Sequence, residues 1–177
     1  PAPQAGWGLQ HRLEDLKPVG ARSYEPDALV THTTATNIGL MLNFYEWTGD
    51  AQFLARIPEA LDWLQSVRLS GDDIKMPGRE FPTFIEIGTN RALINHRRGS
   101  NVVNGEYYQD YNPEKPIVHY SQWRAIDLGQ FGAIHAFVDP RGALLVRLVR
   151  ERCAGSEGVK IATALADAVW ALMGERP

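Results

Sequence analysis

The sequence predicts a mainly α-helical domain with one small β-hairpin. Two stretches, 27–48 and 51–68, carry apolar residues mostly at the three- and four-residue intervals of a helix. A shorter stretch, 81–88, alternates in part between apolar and polar residues, and a second extended segment at 91–95 follows it. The chain has 177 residues, of which 44% are hydrophobic and 22% charged. This composition is that of one globular domain with enough apolar material for a core.

The first 26 residues are rich in proline and glycine and predict irregular structure. Pro18 and Pro26 each disfavour a helical conformation of the residue before them, so the segment between them is expected to be a turn or a short extended piece. This segment places Arg22 three residues before Glu25. The two side chains either form an ordinary ion pair that caps the next helix, or they present a guanidinium to a functional site on a connecting segment.

The first predicted helix has a polar first half, at 31–37, which either faces a cleft or is a solvated first turn. Gly49 is a natural helix C-cap and Asp50 a candidate N-cap, so the chain is expected to stop and start again there. The second predicted helix, 51–68, has the apolar spacing of a helix that lies on a core, and Pro58 is expected to kink it.

The extended segments 81–88 and 91–95 predict a small hairpin, not a major sheet. Loops are expected on both sides of it, at 70–80 and 101–116. Further helices are predicted near 125–137, 144–153 and 159–173. No internal repeat of fixed period is visible.

Charge and hydropathy exclude several classes of partner. The net charge of -3, with no basic run, argues against a nucleic-acid partner. No apolar run approaches the roughly 20 residues that span a bilayer, so no membrane partner is expected. The single cysteine, Cys153, excludes an intrachain disulfide and leaves the redox compartment undecided. The start of the chain lacks the features of a signal peptide, and its abruptness suggests a piece of a longer chain.

Several common catalytic motifs are also missing from the sequence. The five histidines have no short ligand spacing, so no zinc site is predicted. There is neither a glycine-rich phosphate loop nor the nucleophile elbow of an α/β-hydrolase.

Arginines occur beside aromatic residues in much of the chain. Guanidinium groups bind carboxylates through bidentate hydrogen bonds, and tyrosine or tryptophan rings stack on the apolar face of a sugar. The combination favours an acidic carbohydrate as ligand, although such tyrosines can also be bulky fillers over the ends of helices. The clusters are Gln10 with His11, Arg22 with Tyr24 and Glu25, Arg91 with His96, Arg97 and Arg98, and the region from Tyr107 to Arg124.

Three of these stretches resemble motifs of the pectate lyases of polysaccharide lyase family ten. The run Trp7-Gly8-Leu9-Gln10-His11 is similar to the family's Trp-x-x-Gln-His, and residues 18–26 are similar to its Pro-x-Trp-Ala-Arg-x-aromatic-Glu-Pro segment. Residues 86–91, with the sequence EIGTNR, and the later His96-Arg97-Arg98 resemble a further pair of motifs.

The resemblance implies a fold and a setting. The expected fold is a partial α/α toroid in which residues 7–125 correspond to the C-terminal half of a lyase module, with a helical extension at 139–177. In such a lyase, the calcium-binding aspartates would lie in a preceding N-terminal segment of the same protein. The resemblance also implies a secreted or periplasmic protein.

The implied activity is cleavage of an acidic, polygalacturonate-like polymer by calcium-assisted β-elimination. By position, Arg22 resembles the family's catalytic base. An arginine normally stays protonated, so this role needs a pKa lowered by neighbouring positive charge. By position, Arg97 and Arg91 resemble the arginines that hold substrate carboxylates in the family. Together with the arginine–aromatic clusters, this predicts the substrate-binding residues Arg91, Arg97, Gln10, His11, Tyr24, Tyr120 and Trp123.

The chain departs from the family pattern around this implied site. Gly20 stands where a tryptophan is expected, Pro82-Thr83 replaces a segment with an arginine, and His96 and Arg98 replace aspartates. Two alternatives therefore stay open. One is a non-catalytic uronate-binding module, and the other is a glycoside hydrolase on an α/α toroid that uses Glu25 with a second acid.

Overall fold

A computed structural model describes residues 4–99, 105–118 and 120–131. Its two α-helices are α1, Thr31–Thr48, and α2, Ile57–Ser66, and two 3-10 turns lie at Ala51–Leu54 and Gly71–Asp73. The strands are β1 (Gln10–His11), β2 (Pro18–Val19), β3 (Ala28–Val30), β4 (Phe81–Pro82), β5 (Phe84–Glu86), β6 (Ala92–Arg98), β7 (Glu106–Asp110) and β8 (Trp123–Arg124).

These strands form three antiparallel sheets. The largest has four strands in the order β3-β5-β6-β7, and β1-β2 and β4-β8 are two-stranded. The prediction of a mainly α protein, a partial α/α toroid with a small hairpin, is therefore wrong for the described residues, which are mixed α/β. Most of the strands have only two or three residues, which is too short for a period of two to stand out in the sequence.

The predicted pairing of the two hairpin strands is confirmed, but the hairpin is part of a larger sheet. Strands β5 and β6 pair with Phe84 opposite Leu93, and this pair lies at the centre of the four-stranded sheet. The turn between them contains Gly88 and Asn90 with positive φ angles of 91° and 61°. Both residue types tolerate this left-handed region, so the turn chemistry agrees with the observed reversal.

Two stretches with other predicted structures became strands. The start of the first predicted helix is strand β3 instead. All three residues of this strand are buried, and they pair with β5 in the sheet. Strand β7 lies within the predicted irregular stretch 101–116, where five polar or aromatic residues pair with β6 over their whole length. Its register is recognisable only from the partner strand.

The second predicted helix is broken into two pieces. Asp50 caps the first piece, since its Oδ1 accepts a hydrogen bond from the backbone N–H of Gln52 at 2.9 Å. Pro58 is the second residue of α2, where its missing N–H costs no helical hydrogen bond, so it does not kink the helix interior. The helices predicted at 144–153 and 159–173, and the part of 125–137 beyond Phe131, lie outside the described residues.

Contacts between Cα atoms separate two compact units. The first comprises residues 4–39 and Asp62–Ile126 and contains all three sheets. The second comprises Leu40–Leu61 and, among the described residues, 127–131. All candidate site residues described below belong to the first unit.

The four-stranded sheet has two different faces. Leu29, Ile85 and Ile94 are buried on one of them. Since side chains alternate along a strand, Val30, Phe84, Leu93 and Arg97 lie on the other, which we call the tyrosine face. There Ala28, Val30 and Phe84 form a buried cluster, and Leu9, Leu93 and Tyr120 pack against it. This cluster supports the candidate site.

Candidate functional site

The segment between Pro18 and Pro26 folds around the carboxylate of Glu25. The Glu25 side chain has no exposed surface. Its Oε2 accepts hydrogen bonds from the backbone N–H groups of Ala21 at 3.1 Å and Arg22 at 3.0 Å, and from the Gln10 side chain at 3.3 Å. Its Oε1 accepts from the Arg22 guanidinium at 2.6 Å. Burial alone would raise the pKa of Glu25, but the hydrogen bonds from Arg22 and Ala21 outweigh it and lower this pKa.

Gly20 lies where this segment passes very close to the backbone of Glu25. A Cβ atom at position 20 would lie 2.0 Å from the backbone carbonyl oxygen of Glu25, a distance that no side chain permits. The glycine found where the pectate lyase pattern has tryptophan is therefore required by the observed path of this loop.

Arg22 projects from the buried carboxylate to the surface. Its side chain is 63% exposed. The hydrogen bond to Glu25 and the negative charge of Glu25 raise the pKa of Arg22 above its ordinary value. A catalytic base needs a shift in the opposite direction. The ion pair considered from the sequence is present, but it precedes strand β3 and so caps no helix.

Three tyrosines from distant parts of the sequence meet beside Arg22. Tyr24 contacts Tyr107 edge-on with ring centroids 5.9 Å apart, and it contacts Tyr120 at 5.2 Å. Tyr120 in turn stacks on the buried ring of Phe84 at 5.5 Å. We call Tyr24, Tyr107 and Tyr120 the tyrosine cluster. It joins the Glu25 loop to the tyrosine face of the sheet.

Two further arginines lie against the tyrosine cluster. The Arg97 guanidinium carbon is 5.7 Å from the centre of the Tyr107 ring, and that of Arg124 is 5.4 Å from the centre of the Tyr120 ring. The Nε of Arg124 also donates to Thr83 Oγ1 at 3.1 Å, which fixes its orientation. Burial raises the pKa of the Tyr120 hydroxyl, and the nearby Arg124 acts against this shift. The site thus combines aromatic rings with several positive charges.

Arg91 belongs to a separate contact. Its guanidinium carbon lies 3.4 Å from the centre of the Tyr111 ring. The Tyr111 hydroxyl donates to Glu86 Oε1 at 2.8 Å. Hydrogen bonds from Thr89 and Tyr111 lower the pKa of Glu86. Arg91 and Arg97, both predicted to bind substrate carboxylates, are therefore held by two different tyrosines.

The other predicted site residues have structural partners. Gln10 donates to Glu25 and so supports the Arg22 loop. His11 uses both ring nitrogens within its own hairpin, since Nε2 accepts from the Gly8 N–H at 3.0 Å and Nδ1 bonds to the Leu16 carbonyl at 2.8 Å. Trp123 is only 7% exposed and lies in strand β8, which leaves its ring inaccessible to a sugar in this structure.

His96, one of the departures from the family pattern, lies in the fold interior. Its Nε2 is 2.9 Å from Asp110 Oδ1 and 3.0 Å from the Asn112 carbonyl oxygen, and its ring stacks on Tyr108. Its side chain points to the opposite sheet face from Arg97, because adjacent strand residues alternate. The sequence cluster of Arg91, His96, Arg97 and Arg98 is therefore divided between the two faces.

The predicted site residues did not include two residues with buried polar atoms that lack a hydrogen-bond partner, His32 and Asn95. His32, in the first turn of α1, has a buried Nδ1 without a hydrogen-bond partner, and burial together with repulsion from Arg124 lowers its pKa to about 4. Asn95 is fully buried, and neither polar atom of its amide has a partner. Neither residue stands out in the sequence, because His32 lies in the polar first half of the first predicted helix and the pairing of β7 with β6 beside Asn95 is not predicted.

The described residues do not form a calcium site from side chains. No group of three His, Cys, Asp or Glu side chains among residues 4–99, 105–118 and 120–131 could hold a metal ion. Within the same residues, no helix has both the length and the hydropathy to cross a membrane.

Comparisons with known proteins found no matching family model, no similar curated protein and no similar solved structure. The relation to pectate lyases accordingly stays a prediction from the sequence motifs.

Proposed function

We propose that this chain binds an acidic uronate polymer, polygalacturonate-like, and serves in its cleavage as part of a polysaccharide lyase. The observation that carries the proposal is the tyrosine cluster with Arg22, Arg97 and Arg124 around it. A tyrosine ring offers an apolar face to a sugar, and a guanidinium offers a fork of donors to its carboxylate. The motif resemblance supplies the β-elimination chemistry.

Arg22 has the properties of a cation that binds substrate. The Glu25 carboxylate holds one side of its guanidinium and leaves most of the side chain exposed beside Tyr24 and Tyr120. A cation at a uronate carboxylate stabilises the enolate-like charge that develops when the C5 proton is removed. Glu25 itself opposes proton removal by Arg22, because it raises the pKa of Arg22. The base role thus requires that other cations at the loaded site reverse this shift.

Calcium enters this proposal only through the resemblance. The described residues do not fit a metal site built from side chains, so we assign no step of the reaction to a metal that they would hold. In the proposed lyase the ligands would come from other residues of the same protein.

The experiment is an assay for the unsaturated uronate that β-elimination produces. With polygalacturonate and Ca²⁺, the ultraviolet absorbance of the C4=C5 product is expected to rise, and a chelator is expected to stop it. Arg22→Ala is expected to abolish turnover. Arg12→Ala removes the same charge from an exposed site on the β1-β2 hairpin and serves as control. Full activity of Arg22→Ala would remove Arg22 from the mechanism.

A non-catalytic uronate-binding module is the second candidate. The observation in its favour is the raised pKa of Arg22, which suits a permanent cation better than a base. Such a module would retain the polymer, lose affinity in Arg97→Ala, and produce no absorbance. Binding without product at every calcium concentration would therefore favour it over the lyase.

A hydrolase that uses Glu25 has less support from the geometry. Both carboxylate oxygens of Glu25 accept hydrogen bonds, its side chain has no exposed surface, and its pKa is lowered. A general acid needs a raised pKa and contact with the glycosidic oxygen. New reducing ends without absorbance would nevertheless reveal a hydrolase.

A further inference from the structure

We infer that the tyrosine face binds an oligomer through two separate arginine–tyrosine subsites and discriminates by chain length. This inference rests on the proposed uronate binding. One subsite consists of Arg97 and Tyr107 and lies beside the tyrosine cluster. The second consists of Arg91 and Tyr111, at the other end of the β6-β7 ladder.

Strand register places the two subsites on the same face. Arg97 lies opposite Tyr107 in the ladder. Tyr111 follows Tyr107 by four residues, and its hydroxyl reaches Glu86. Glu86 is two residues from Phe84 on β5 and shares its face, the face on which Tyr120 stacks. Arg91, which covers the Tyr111 ring, therefore lies on the tyrosine face as well.

The distance between the subsites exceeds the width of one sugar. Four residues of an antiparallel strand span about 14 Å, and six residues, from Arg91 to Arg97, span about 20 Å. A pyranose ring is about as wide as a tyrosine ring, so a monosaccharide can occupy only one subsite. A uronate chain carries a carboxylate on every sugar, so a single oligomer can meet both arginines.

Between the subsites the accessible surface lies along strand β7, because Asn95 opposite it on β6 is fully buried. Among the described residues β7 is an edge strand of the sheet, and the half-buried Gln109 lies on it between the two tyrosines. Tyr111 is 43% exposed, and Arg91 is also exposed. The polymer is accordingly expected to lie along β7, with Gln109 beneath its middle sugars.

The two subsites differ in charge. Arg97 shares its neighbourhood with Arg22 and Arg124 through the tyrosine cluster, whereas Arg91 lies beside the Glu86 carboxylate, which offsets its charge. The Arg97 subsite is therefore the stronger one, and the Arg91 subsite adds affinity only when the same molecule already occupies the first. Such linked binding raises the apparent affinity through the effective concentration of the second contact.

The test measures calorimetric affinity for galacturonate oligomers from one to six sugars. For the unmodified chain, affinity is expected to rise at least about tenfold from the shortest to the longest oligomer. Arg91→Ala is expected to lose this rise while short oligomers bind as before. Arg97→Ala is expected to weaken every length, and Arg12→Ala none.

A second variant protects the test from a folding artefact. Tyr111→Leu removes the ring without a change of charge, and it should give the same length-specific loss at an unchanged melting temperature. An affinity that is independent of length, or an equal loss at all lengths in Arg91→Ala, would overturn the two-subsite inference alone. If no uronate of any length binds, the proposed function fails with it.

Discussion

The Arg22 guanidinium, 63% exposed, donates at 2.6 Å to the carboxylate of Glu25, whose side chain has no exposed surface. One member of this ion pair is thus part of the interior and the other part of the surface. The buried Glu25 organises the loop, because its carboxylate also accepts hydrogen bonds from the backbone N–H groups of Ala21 and Arg22. The position of the exposed cation depends on that buried anchor.

Glu25→Gln is expected to destabilise the protein. An amide NH₂ group cannot accept the hydrogen bonds that one carboxylate oxygen now receives, so at least one buried donor loses its acceptor. We expect the free energy of unfolding to fall by about 1–3 kcal/mol, measured by urea denaturation. Glu14→Gln, at an exposed position of the β1-β2 turn, is the matched control and should change little. Equal stability of the two variants would contradict the anchoring role.

The same carboxylate predicts a loss of stability in acid. The pKa of Glu25 is lower in the folded state than the ordinary value near 4.3, so the folded form binds fewer protons there. The contribution of Glu25 to the free energy of unfolding is therefore complete at pH values above that ordinary pKa, and it is lost as the pH falls through the lowered pKa. Thermal unfolding at a series of pH values should show this acid loss in the unmodified chain and a weaker one in Glu25→Gln.

Two glycines should respond in opposite ways to replacement by alanine. Gly20→Ala would place a Cβ against the Glu25 carbonyl, so the loop must open and stability should fall. Gly39→Ala lies within helix α1 with no atom near the new Cβ, and should raise the free energy of unfolding by about 0.5–1 kcal/mol. Melting temperatures of the two variants test both expectations. A Gly20→Ala protein as stable as the parent would show that the loop takes another path.

His32 should titrate well below an ordinary histidine. Burial, with a smaller contribution from Arg124, lowers the pKa of His32 to about 4. Since the unfolded chain binds a proton near pH 6.5 and the folded chain does not, this group should reduce stability as the pH falls from about 6.5 to 4. NMR of the imidazole ring measures the midpoint directly. Arg124→Met should raise the midpoint in part, and a midpoint near 6.5 in the unmodified chain would refute the assignment.

Asn95→Leu is expected to stabilise the fold. The Asn95 amide is fully buried and its two polar atoms have no partner, so an apolar side chain of similar size removes a desolvation cost of about 1–3 kcal/mol. The same change at Asn90 should destabilise, because Asn90 Oδ1 accepts from Gln4 and from Trp63. Urea denaturation of both variants is the measurement. A destabilised Asn95→Leu protein would indicate an ordered water or another partner at the amide.

The sequence allowed local relationships to be predicted but not the long-range pairing of strands. The Arg22–Glu25 pair lies within three residues, and the β5-β6 hairpin closes over a short turn, so composition and turn residues sufficed. The β3-β5 pairing joins Val30 to Phe84, and no periodic signal marks a strand of three residues.

The candidate site shows the same limit. Arg22, Tyr24, Arg97 and Tyr120 were predicted as site residues, and the structure places them in and around one cluster. Arg124 and Tyr107 join them only because β7 and β8 bring distant segments together. Trp123 was predicted from its residue type, yet its position in β8 buries it.

The segment before β1 completes the sheet. The Trp7 carbonyl accepts the Val30 N–H at 2.8 Å, and the Gln4 side chain donates to the Glu86 carbonyl and to Asn90 at the turn of the β5-β6 hairpin. Proteolytic removal of the segment through Trp7 would therefore leave the outer edge of β3 without its cover. The exposed edge strand could then pair with the edge of another molecule, so an affinity tag fused at the N-terminus of a shortened chain would carry a risk of edge-to-edge aggregation.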